Sequence, residues 1–336
     1  MTTPIHEVGS DKFLLAKVEP HPSQMSLPLC ATFFPLGFPV VIATNSSTVL
    51  EAASQSWGKF RTRFDYPPLT LHLEVSSEGD SSSLDLPDPI CHVRRHLVST
   101  IADPYNFVHS DINAGFAFGF VTPQTAASSP YLRYHMIEAA VLCMIATLRA
   151  APLHAACVSA NGYGMLLCGD SGAGKSSLAF AGARSGWTFT CDDSGYLLLD
   201  SQDRRVIGNC HQFRLRDSGP QLFPELEGRS ITPRSSGKPS IEIPIDELPG
   251  LVTRESADVE SIIFLNRSPI HTPELVPISH EPVRPWFLQF PYPATRTYLE
   301  QREAIDRLLD APIFELRYTD LDWAIERLNA LARTGH

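Results

Sequence analysis

Short apolar or alternating runs dominate the first third of the chain. Between residues 12 and 121 these runs, such as PVVIAT and LTLHLEVS, are separated by polar segments such as SSEGDSSSLDLPDP. Period-two alternation bounded by turn-forming residues is typical of β-strands joined by loops. The pattern therefore predicts a β-rich N-terminal region over residues 1–129, which we expect to hold a substrate or a partner.

The pattern changes at residue 130. From there to residue 149, Ala, Leu, Met and Ile follow one another with few polar interruptions. Such a segment predicts a long, mostly buried helix. We expect this helix to pack on the sheet of the domain that it introduces, so residues 130–336 are predicted to form a second domain.

Strands and helices alternate in the second domain. An apolar strand, a hairpin turn at Asn161 and Gly162, and the strand MLLC lead into a glycine-rich loop. After the loop we expect a helix that ends at Gly186 and a strand, WTFTC, that ends at Asp192 and Asp193. In the C-terminal segment, the pattern predicts a helix over 297–309, the strand IFELRY and the amphipathic helix LDWAIERLNALAR. The predicted fold class is α/β with a mixed sheet.

Composition narrows the possible partners. The 37 acidic residues outnumber the 27 basic ones, which gives a formal net charge of -10 and argues against nucleic acid as a partner. The seven cysteines are scattered and odd in number, as expected for a cytoplasmic protein. The most apolar stretch, LPLCATFFPLGFPVVIAT, holds three prolines, so we expect strands broken by turns there and no membrane span.

The glycine-rich loop matches the pattern G-x-x-x-x-G-K-[ST]. Successive backbone N–H groups of such a loop point at one anion, and the following helix adds its positive end. Lys175 would neutralise phosphate charge, and the Ser176 hydroxyl would bind Mg²⁺. The sequence therefore predicts a site for ATP and Mg²⁺ whose nucleotide-binding residues are Gly169, Asp170, Ser171, Gly172, Ala173, Gly174, Lys175, Ser176 and Ser177.

The two aspartates that follow admit three interpretations. A carboxylate at the end of an apolar strand holds Mg²⁺ through water in many nucleotide hydrolases, and Asp192 or Asp193 could do only that. Asp193 could instead cap the turn beside Ser194. The two carboxylates could also divide the work, one near the metal and the other within reach of an acceptor hydroxyl. Spacing alone does not choose among these roles.

The run from PLHAACVSANGYGMLLCGDSGAGKSS to the aspartate pair resembles the C-terminal catalytic domain of HPr kinase/phosphorylase and of HPr-kinase-like proteins. The resemblance is specific over about fifty residues and weaker towards the C-terminus. It implies a P-loop domain of the phosphoenolpyruvate-carboxykinase type. It also implies that Asp192 is the base toward a hydroxyl, that Asp193 lies nearer the metal and phosphates, and that His154 lies near the phosphates. A core histidine with a structural hydrogen bond is an equally good interpretation of His154.

Two departures from that family stand out. Kinases that act on HPr usually read GKSE after the loop, with the glutamate helping to hold Mg²⁺, whereas this chain has Ser177. The long glycine-containing signature found downstream of the aspartate pair has no counterpart, and CHQFRLRDSGPQLFPELEG stands in its place. Since that signature is tied to HPr and to the phosphorylase activity, neither is expected here.

Three basic residues outside the loop are further candidates. Arg214 and Arg216 alternate in FRLR, so on a strand both would point to one face and could bind phosphate, although a solvated strand face is the favoured interpretation. Lys238 in SSGKPS fits a surface loop better than a phosphate site.

Together these features predict an ATP-dependent kinase that transfers the γ-phosphoryl group to a hydroxyl. Its acceptor would be a serine of a protein or peptide, or a small molecule, and the resemblance favours a homo-oligomer. Catalysis is assigned to Asp192, Asp193, Lys175 and His154, and metal binding to Ser176 and Asp193. The alternatives are a nucleotide-binding regulatory protein without kinase activity and a maturation kinase of ribosomally made peptides.

Overall fold

The computed structural model describes residues 25–76, 86–232, 239–267 and 272–335. Within these ranges the chain forms a mixed α/β structure with parallel and antiparallel strand pairs in its two larger sheets. Lys238 lies outside the described residues.

The N-terminal region is built on a seven-stranded sheet among the described residues. Its strands run β1-β2-β3-β7-β6-β5-β4 across the sheet. The pairs β2–β3 and β3–β7 are parallel and the others are antiparallel. The strands are β1 (Leu29–Phe33), β2 (Val40–Thr44), β3 (Leu69–Val75), β4 (Ile90–Arg94), β5 (Leu97–Asp103), β6 (Asn106–Asp111) and β7 (Phe116–Val121). The predicted strands at PVVIAT and LTLHLEVS correspond to β2 and β3.

Helices cover one face of this sheet. They are α1 (Ser47–Trp57), α2 (Pro123–Ala127), α3 (Ser129–Tyr131), the π-helical segment Leu132–Glu138 and α4 (Ala139–Leu148). The last three form the continuous helix that the apolar pattern predicts. Helix α1 was not expected, because the N-terminal region was interpreted as strands and loops.

The long helix contacts both larger sheets. Met136, Val141 and Ile145 lie in one core with Ile42 of β2 and Leu71 of β3. The same core includes Ala150, Tyr196 and Leu198 of the sheet in the second half of the chain. The helix therefore packs on the sheet of the domain that it introduces, as expected, and it also covers the mostly apolar face of the N-terminal sheet. The boundary between residues 129 and 130 stays a prediction.

The same helix is apolar enough to be compared with a membrane span. Among the described residues, Ser129–Leu148 is the one helical segment with the length and composition to cross a membrane. However, 67% of its apolar window is buried inside the protein, as in the core helix of a soluble domain.

The second half of the chain adds a ten-stranded sheet and a small three-stranded sheet, counted over the described residues. The larger sheet runs β17-β11-β9-β10-β18-β13-β12-β8, with β20 beside β18 and β19 beside β20. The smaller runs β14-β16-β15. The strands are β8 (Ala150–Leu153), β9 (Ala156–Ala160), β10 (Tyr163–Cys168), β11 (Thr188–Cys191), β12 (Gly195–Leu198), β13 (Arg205–Gly208), β14 (Gln212–Arg216), β15 (Ile231–Thr232), β16 (Ser240–Pro244), β17 (Val252–Thr253), β18 (Ser256–Asn266), β19 (Glu274–Pro277) and β20 (Ile313–Arg317).

Helices flank the larger sheet in two groups. Helices α5 and α8 share a core with β9 and β10, and α6 and α7 share another core with β8, β12 and β18. These helices are α5 (Lys175–Arg184), α6 (Arg284–Leu288), α7 (Tyr298–Leu308) and α8 (Leu321–Thr334). Short 3-10 turns occupy Pro35–Gly37, Gly219–Gln221, Pro224–Leu226 and Ile245–Glu247.

The predicted hairpin before the loop is present. Strands β9 and β10 pair antiparallel, with Tyr163 opposite Ala160. Asn161 (φ 51°) and Gly162 (φ 84°) both adopt left-handed backbone conformations, which a two-residue hairpin turn requires and which Asn and Gly tolerate best. Because β18 and β20 then pair parallel beyond β10, the carboxyl ends of three strands meet beside the glycine-rich loop.

The two halves of the chain touch along β14 and β16. Arg133 of the long helix lies 3.4 Å from the Glu242 carboxylate of β16, and Lys59 lies 2.6 Å from Asp246. Tyr196 of β12 is buried in the core of the N-terminal sheet. These contacts set the N-terminal region against the end of the strand that carries the two aspartates.

Candidate functional site

The glycine-rich loop joins β10 to α5 in a conformation that depends on its glycines. Gly169, Gly172 and Gly174 have φ angles of 141°, 99° and 100°. A Cβ atom on Gly174 would lie 2.9 Å from the Tyr318 hydroxyl and 3.0 Å from Cδ of Arg267, too close for either neighbour to stay in place. Side chains at these positions would be strained, so the glycines allow the tight loop from which α5 begins.

Lys175 is the first residue of α5 and is 5% exposed. Its Nζ donates to the carbonyl oxygens of Gly169 (2.8 Å) and Asp170 (3.2 Å) and lies 3.1 Å from Nε2 of His154. Burial lowers the pKa of Lys175, and the nearby Asp193 carboxylate opposes that shift. The ammonium is thus held against the loop, in a place where an anion would favour its charged form.

His154, between β8 and β9, links Lys175 to the second aspartate. Its Nδ1 lies 3.3 Å from Oδ1 of Asp193. An ammonium can only donate hydrogen bonds, so Nε2 must accept from Lys175 and Nδ1 must carry the proton that faces Asp193. The predicted catalytic residues Lys175, His154 and Asp193 are therefore brought together in one chain of contacts.

Asp192 lies at the same strand end but in a different environment. It is 8% exposed, and its Oδ2 accepts a hydrogen bond from the backbone N–H of Arg214 in β14. Its carbonyl oxygen accepts from the Ser176 hydroxyl at 3.3 Å. Asp192 thus connects the loop helix to β14, while its carboxylate is placed apart from the contacts of Lys175.

A cleft of about 660 Å³ lies over the loop, and we call it the phosphate cleft. Four of its lining side chains are basic: Lys175, Arg214, Arg216 and Arg267. Of the predicted nucleotide-binding residues, Ser171, Gly172, Gly174, Lys175, Ser176 and Ser177 line it, while Gly169, Asp170 and Ala173 complete the loop. Asp193 and His154 also line it, and Asp192 does not.

The second arginine of FRLR contacts the loop directly. Phe213 and Leu215 of β14 are buried, so Arg214 and Arg216 share the opposite face, as the alternation predicts. Nη2 of Arg216 lies 2.6 Å from the Ser171 hydroxyl oxygen. Arg216 is exposed, as the interpretation of a solvated strand face predicts, and it also contacts the glycine-rich loop. A role for Arg216 in phosphate binding stays a prediction.

Arg214 is held by a carboxylate and a ring. Its Nη2 lies 3.1 Å from Oε2 of Glu242, and its guanidinium carbon lies 4.1 Å from the centre of the Tyr134 ring. Arg267 follows the last residue of β18, the parallel neighbour of the loop strand β10. Sequence reasoning missed Arg267, although its place just after an apolar strand was a usable signal.

A second, smaller space adjoins the phosphate cleft, and we call it the inner cavity. Its volume is about 110 Å³. Its wall includes Asp192 and side chains of the N-terminal region, whose residues carry no chemical motif in the sequence. The cavity and the cleft share three lining residues, Asp193, Ser194 and Arg214. The two aspartates therefore mark the boundary between the two spaces.

The donor set fits a loosely held Mg²⁺. Ser176 and Asp193 both line the phosphate cleft and offer a hydroxyl and a carboxylate oxygen. No cluster of three or more His, Cys, Asp or Glu that could hold a metal occurs in the described part of the chain. Mg²⁺ commonly takes only one or two protein oxygens and completes its shell with phosphates and water. Ser177 adds no carboxylate to this set.

Comparisons with known proteins add a distant likeness. A scan against protein-family models finds no match, and a search of curated proteins finds none. Among solved structures, the chain is similar to the Hpr(Ser) kinase/phosphatase from Coxiella burnetii, with 14% sequence identity and a TM-score of 0.31. That likeness covers 55% of this chain and 95% of the other. A score this low carries no weight for function, so the functional conclusion depends on the geometry of the site.

Proposed function

We propose that the protein is an ATP-dependent phosphotransferase that moves the γ-phosphoryl group to a hydroxyl. One observation carries this proposal: Lys175, His154 and Asp193 converge on a phosphate-binding loop, while Asp192 is buried on the far side of the same strand end. A protein that only hydrolyses or senses a nucleotide needs residues such as Lys175, His154 and Asp193 at the loop. The second carboxylate, facing a separate cavity, is what an acceptor requires.

The phosphate cleft supplies the charge that a triphosphate needs. Loop N–H groups, the start of α5, Lys175, Arg216 and Arg267 would surround the phosphates with donors and positive charge. Ser176 and Asp193 would hold Mg²⁺, which would neutralise charge between the β- and γ-phosphates. His154 keeps the Asp193 carboxylate oriented toward the cleft through its Nδ1.

Asp192 is the proposed base. The acceptor oxygen forms a bond to the γ-phosphorus, and the bond from that phosphorus to the bridging oxygen breaks. The bridging oxygen keeps the electron pair and leaves on ADP, while the acceptor proton passes to the Asp192 carboxylate. The hydrogen bond from the Arg214 N–H holds that carboxylate in place.

The type of domain and the class of acceptor are proposed from the resemblance of the loop region to HPr-kinase-like proteins. We propose that residues 130–336 form an HPr-kinase-like domain of the phosphoenolpyruvate-carboxykinase type, working in the cytoplasm as a homo-oligomer. A serine of a protein or peptide is the acceptor that this family would suggest. Strand β4, a sheet edge whose five residues are all exposed, would suit an extended peptide of the kind a maturation kinase modifies.

A nucleotide-dependent regulatory protein is the second candidate. One observation favours it: the Asp192 carboxylate is hydrogen-bonded to the main chain of β14, as a purely structural aspartate would be. In that case a conformational change caused by nucleotide binding at Ser176 would reach β14 through Asp192, and no phosphoryl acceptor would be needed. Ser177, where related kinases have a glutamate, is compatible with this candidate.

Phosphoryl transfer can be tested without knowing the acceptor. Purified protein is incubated with γ-labelled ATP and Mg²⁺, with and without an extract of its host, and compared with Lys175→Ala. The proposal predicts label on a defined acceptor with the wild type and none with the variant. Tight ATP binding with no transfer to anything in the extract would contradict it and favour the regulatory protein.

A further inference from the structure

The inner cavity is assembled from both halves of the chain. Trp57 of α1 and Phe60 line it from the N-terminal region, Tyr134 from the long helix, and Asp192 and Gln212 from the second half. These side chains come from segments far apart in sequence that meet only because the long helix packs on the N-terminal sheet. The phosphate cleft, by contrast, is lined by none of the described residues of the N-terminal region, 25–76 and 86–129.

The cavity is small and its walls are fixed. Trp57, Phe60 and Tyr134 are at most 4% exposed. Since one water needs about 10–15 Å³ of such volume, 110 Å³ corresponds to a molecule of several non-hydrogen atoms. This volume accommodates a small molecule as a whole, whereas a peptide could place only a side chain in it.

Tyr134 provides an independent sign of a ligand. Its hydroxyl is buried and has no hydrogen-bond partner among the described residues. Its ring lies between two guanidinium groups, with the carbon of Arg133 at 4.9 Å and that of Arg214 at 4.1 Å from the ring centre. A buried hydroxyl left without a partner costs about 1–3 kcal/mol, and Tyr134 lines the cavity, so a polar ligand group that reached this hydroxyl would remove that cost.

The charges of the cavity disfavour an anionic ligand. Its wall holds the carboxylates of Asp192, Asp193 and Glu138. Its one lining arginine, Arg214, is paired with Glu242 at 3.1 Å. An anion would therefore meet carboxylates with no uncompensated positive charge in the described wall.

The wall also suits a molecule with several hydroxyls. With its amide oriented to satisfy both neighbours, Gln212 accepts from Nε of Arg214 (2.9 Å) and donates to Glu242 (3.2 Å). Asn209 adds a second amide. Carboxylates and amides offer hydrogen-bond partners to hydroxyl groups, and the aromatic rings offer apolar surface to the C–H groups between them.

We propose that the inner cavity is the acceptor site and that it binds a small, uncharged molecule with at least two hydroxyl groups. This inference rests on the proposed phosphotransferase function. One hydroxyl is presented to Asp192 and, through the shared boundary at Asp193 and Ser194, to the γ-phosphate. A second hydroxyl pairs with the Tyr134 hydroxyl. The reacting oxygen gains the phosphoryl group, its proton goes to Asp192, and ADP leaves with the electron pair.

The test separates acceptors by size and by charge. Wild-type protein with γ-labelled ATP and Mg²⁺ is offered glycerol, myo-inositol and glucose, seryl peptides, and a host extract divided by ultrafiltration into small molecules and proteins. Label is expected on a neutral polyol or in the small-molecule fraction. With Tyr134→Phe, the KM for that acceptor should rise about tenfold, the effect of one hydrogen bond of about 1.4 kcal/mol, while the nucleotide Kd stays the same.

Tyr105→Phe is the matched control, because Tyr105 is exposed and distant from the cavity wall. Its KM should equal that of the wild type. Label only on peptides or in the protein fraction would overturn the small-molecule inference and leave the phosphotransferase proposal standing. An unchanged KM in Tyr134→Phe would also overturn it. ATP binding with no label in any fraction would overturn both.

Discussion

The phosphate cleft and the inner cavity share a boundary but differ in construction. The cleft is about 660 Å³, and Lys175, Arg216 and Arg267 are among its lining residues. The cavity is about 110 Å³, with buried aromatic walls and carboxylates. A highly charged anion is stabilised by converging N–H groups and cations, whereas a neutral acceptor needs a fixed shape and a base. The difference matches what the two proposed ligands, a triphosphate and a neutral acceptor, would each need at one strand end.

The largest effect on the cleft alone is expected from Lys175→Ala. The variant removes the ammonium that faces the loop, and a hydrogen bond to a charged group contributes about 1.5–3 kcal/mol, so the nucleotide Kd should rise about tenfold to a hundredfold. Titration calorimetry with ATP and Mg²⁺ measures this. Lys59→Ala, which removes an exposed lysine paired with Asp246, is the control. An unchanged Kd in Lys175→Ala would mean that the loop does not bind the triphosphate.

A smaller effect on the cleft is expected from Arg216→Ala. Arg216 is exposed and contacts Ser171 of the loop, and an exposed charged contact contributes about 1 kcal/mol, so the nucleotide Kd should rise about three- to tenfold. The KM of the acceptor should not change, since Arg216 does not line the inner cavity. Arg327→Ala, which removes an exposed arginine of α8 outside both spaces, is the matched control. A change in acceptor KM instead of nucleotide Kd would contradict the separation of the two spaces.

The smallest effect on nucleotide binding is expected from a change in pH. Burial lowers the pKa of Lys175, so in the free protein its ammonium loses the proton at a lower pH than an ordinary lysine. The triphosphate binds the charged form, which is present below that pKa, so the nucleotide Kd should rise as the pH increases through it. Titrations from neutral to alkaline pH with the wild type and Lys175→Ala check this. Parallel curves would show that the dependence arises from another group.

Residues that lie close together in sequence made the cleft predictable. The hairpin turn at Asn161 and Gly162, the glycine-rich loop and the strand that ends at Asp192 are each encoded by local chemistry. Asn and Gly accept left-handed backbone, and apolar runs of four to six residues form buried strands. The structure places these elements where the sequence predicts them, while the roles of the residues stay predictions.

The cavity could not be predicted in the same way. Trp57 and Tyr134 lie far from Gln212 in sequence, and only the packing of the long helix on the N-terminal sheet brings them together. Helix α1 had a detectable signal, because Val49, Ala52, Ala53 and Trp57 are spaced to form one buried helical face. The polar residues of α1 lie between these four positions, so the segment did not stand out as an apolar run.

The central claim is that Asp192 serves the acceptor and Asp193 serves the nucleotide. The most direct measurement compares Asp192→Asn and Asp193→Asn for nucleotide Kd in the presence of Mg²⁺ and for the rate of phosphoryl transfer. Asparagine keeps an oxygen that can accept the Arg214 N–H, so the β14 contact is retained in Asp192→Asn. We expect Asp192→Asn to bind ATP like the wild type and to lose about 10²–10⁴-fold in transfer, the usual contribution of a general base. Asp193→Asn should weaken binding of the Mg²⁺ nucleotide. Loss of nucleotide binding in Asp192→Asn, with transfer retained in proportion to bound ATP, would contradict the claim.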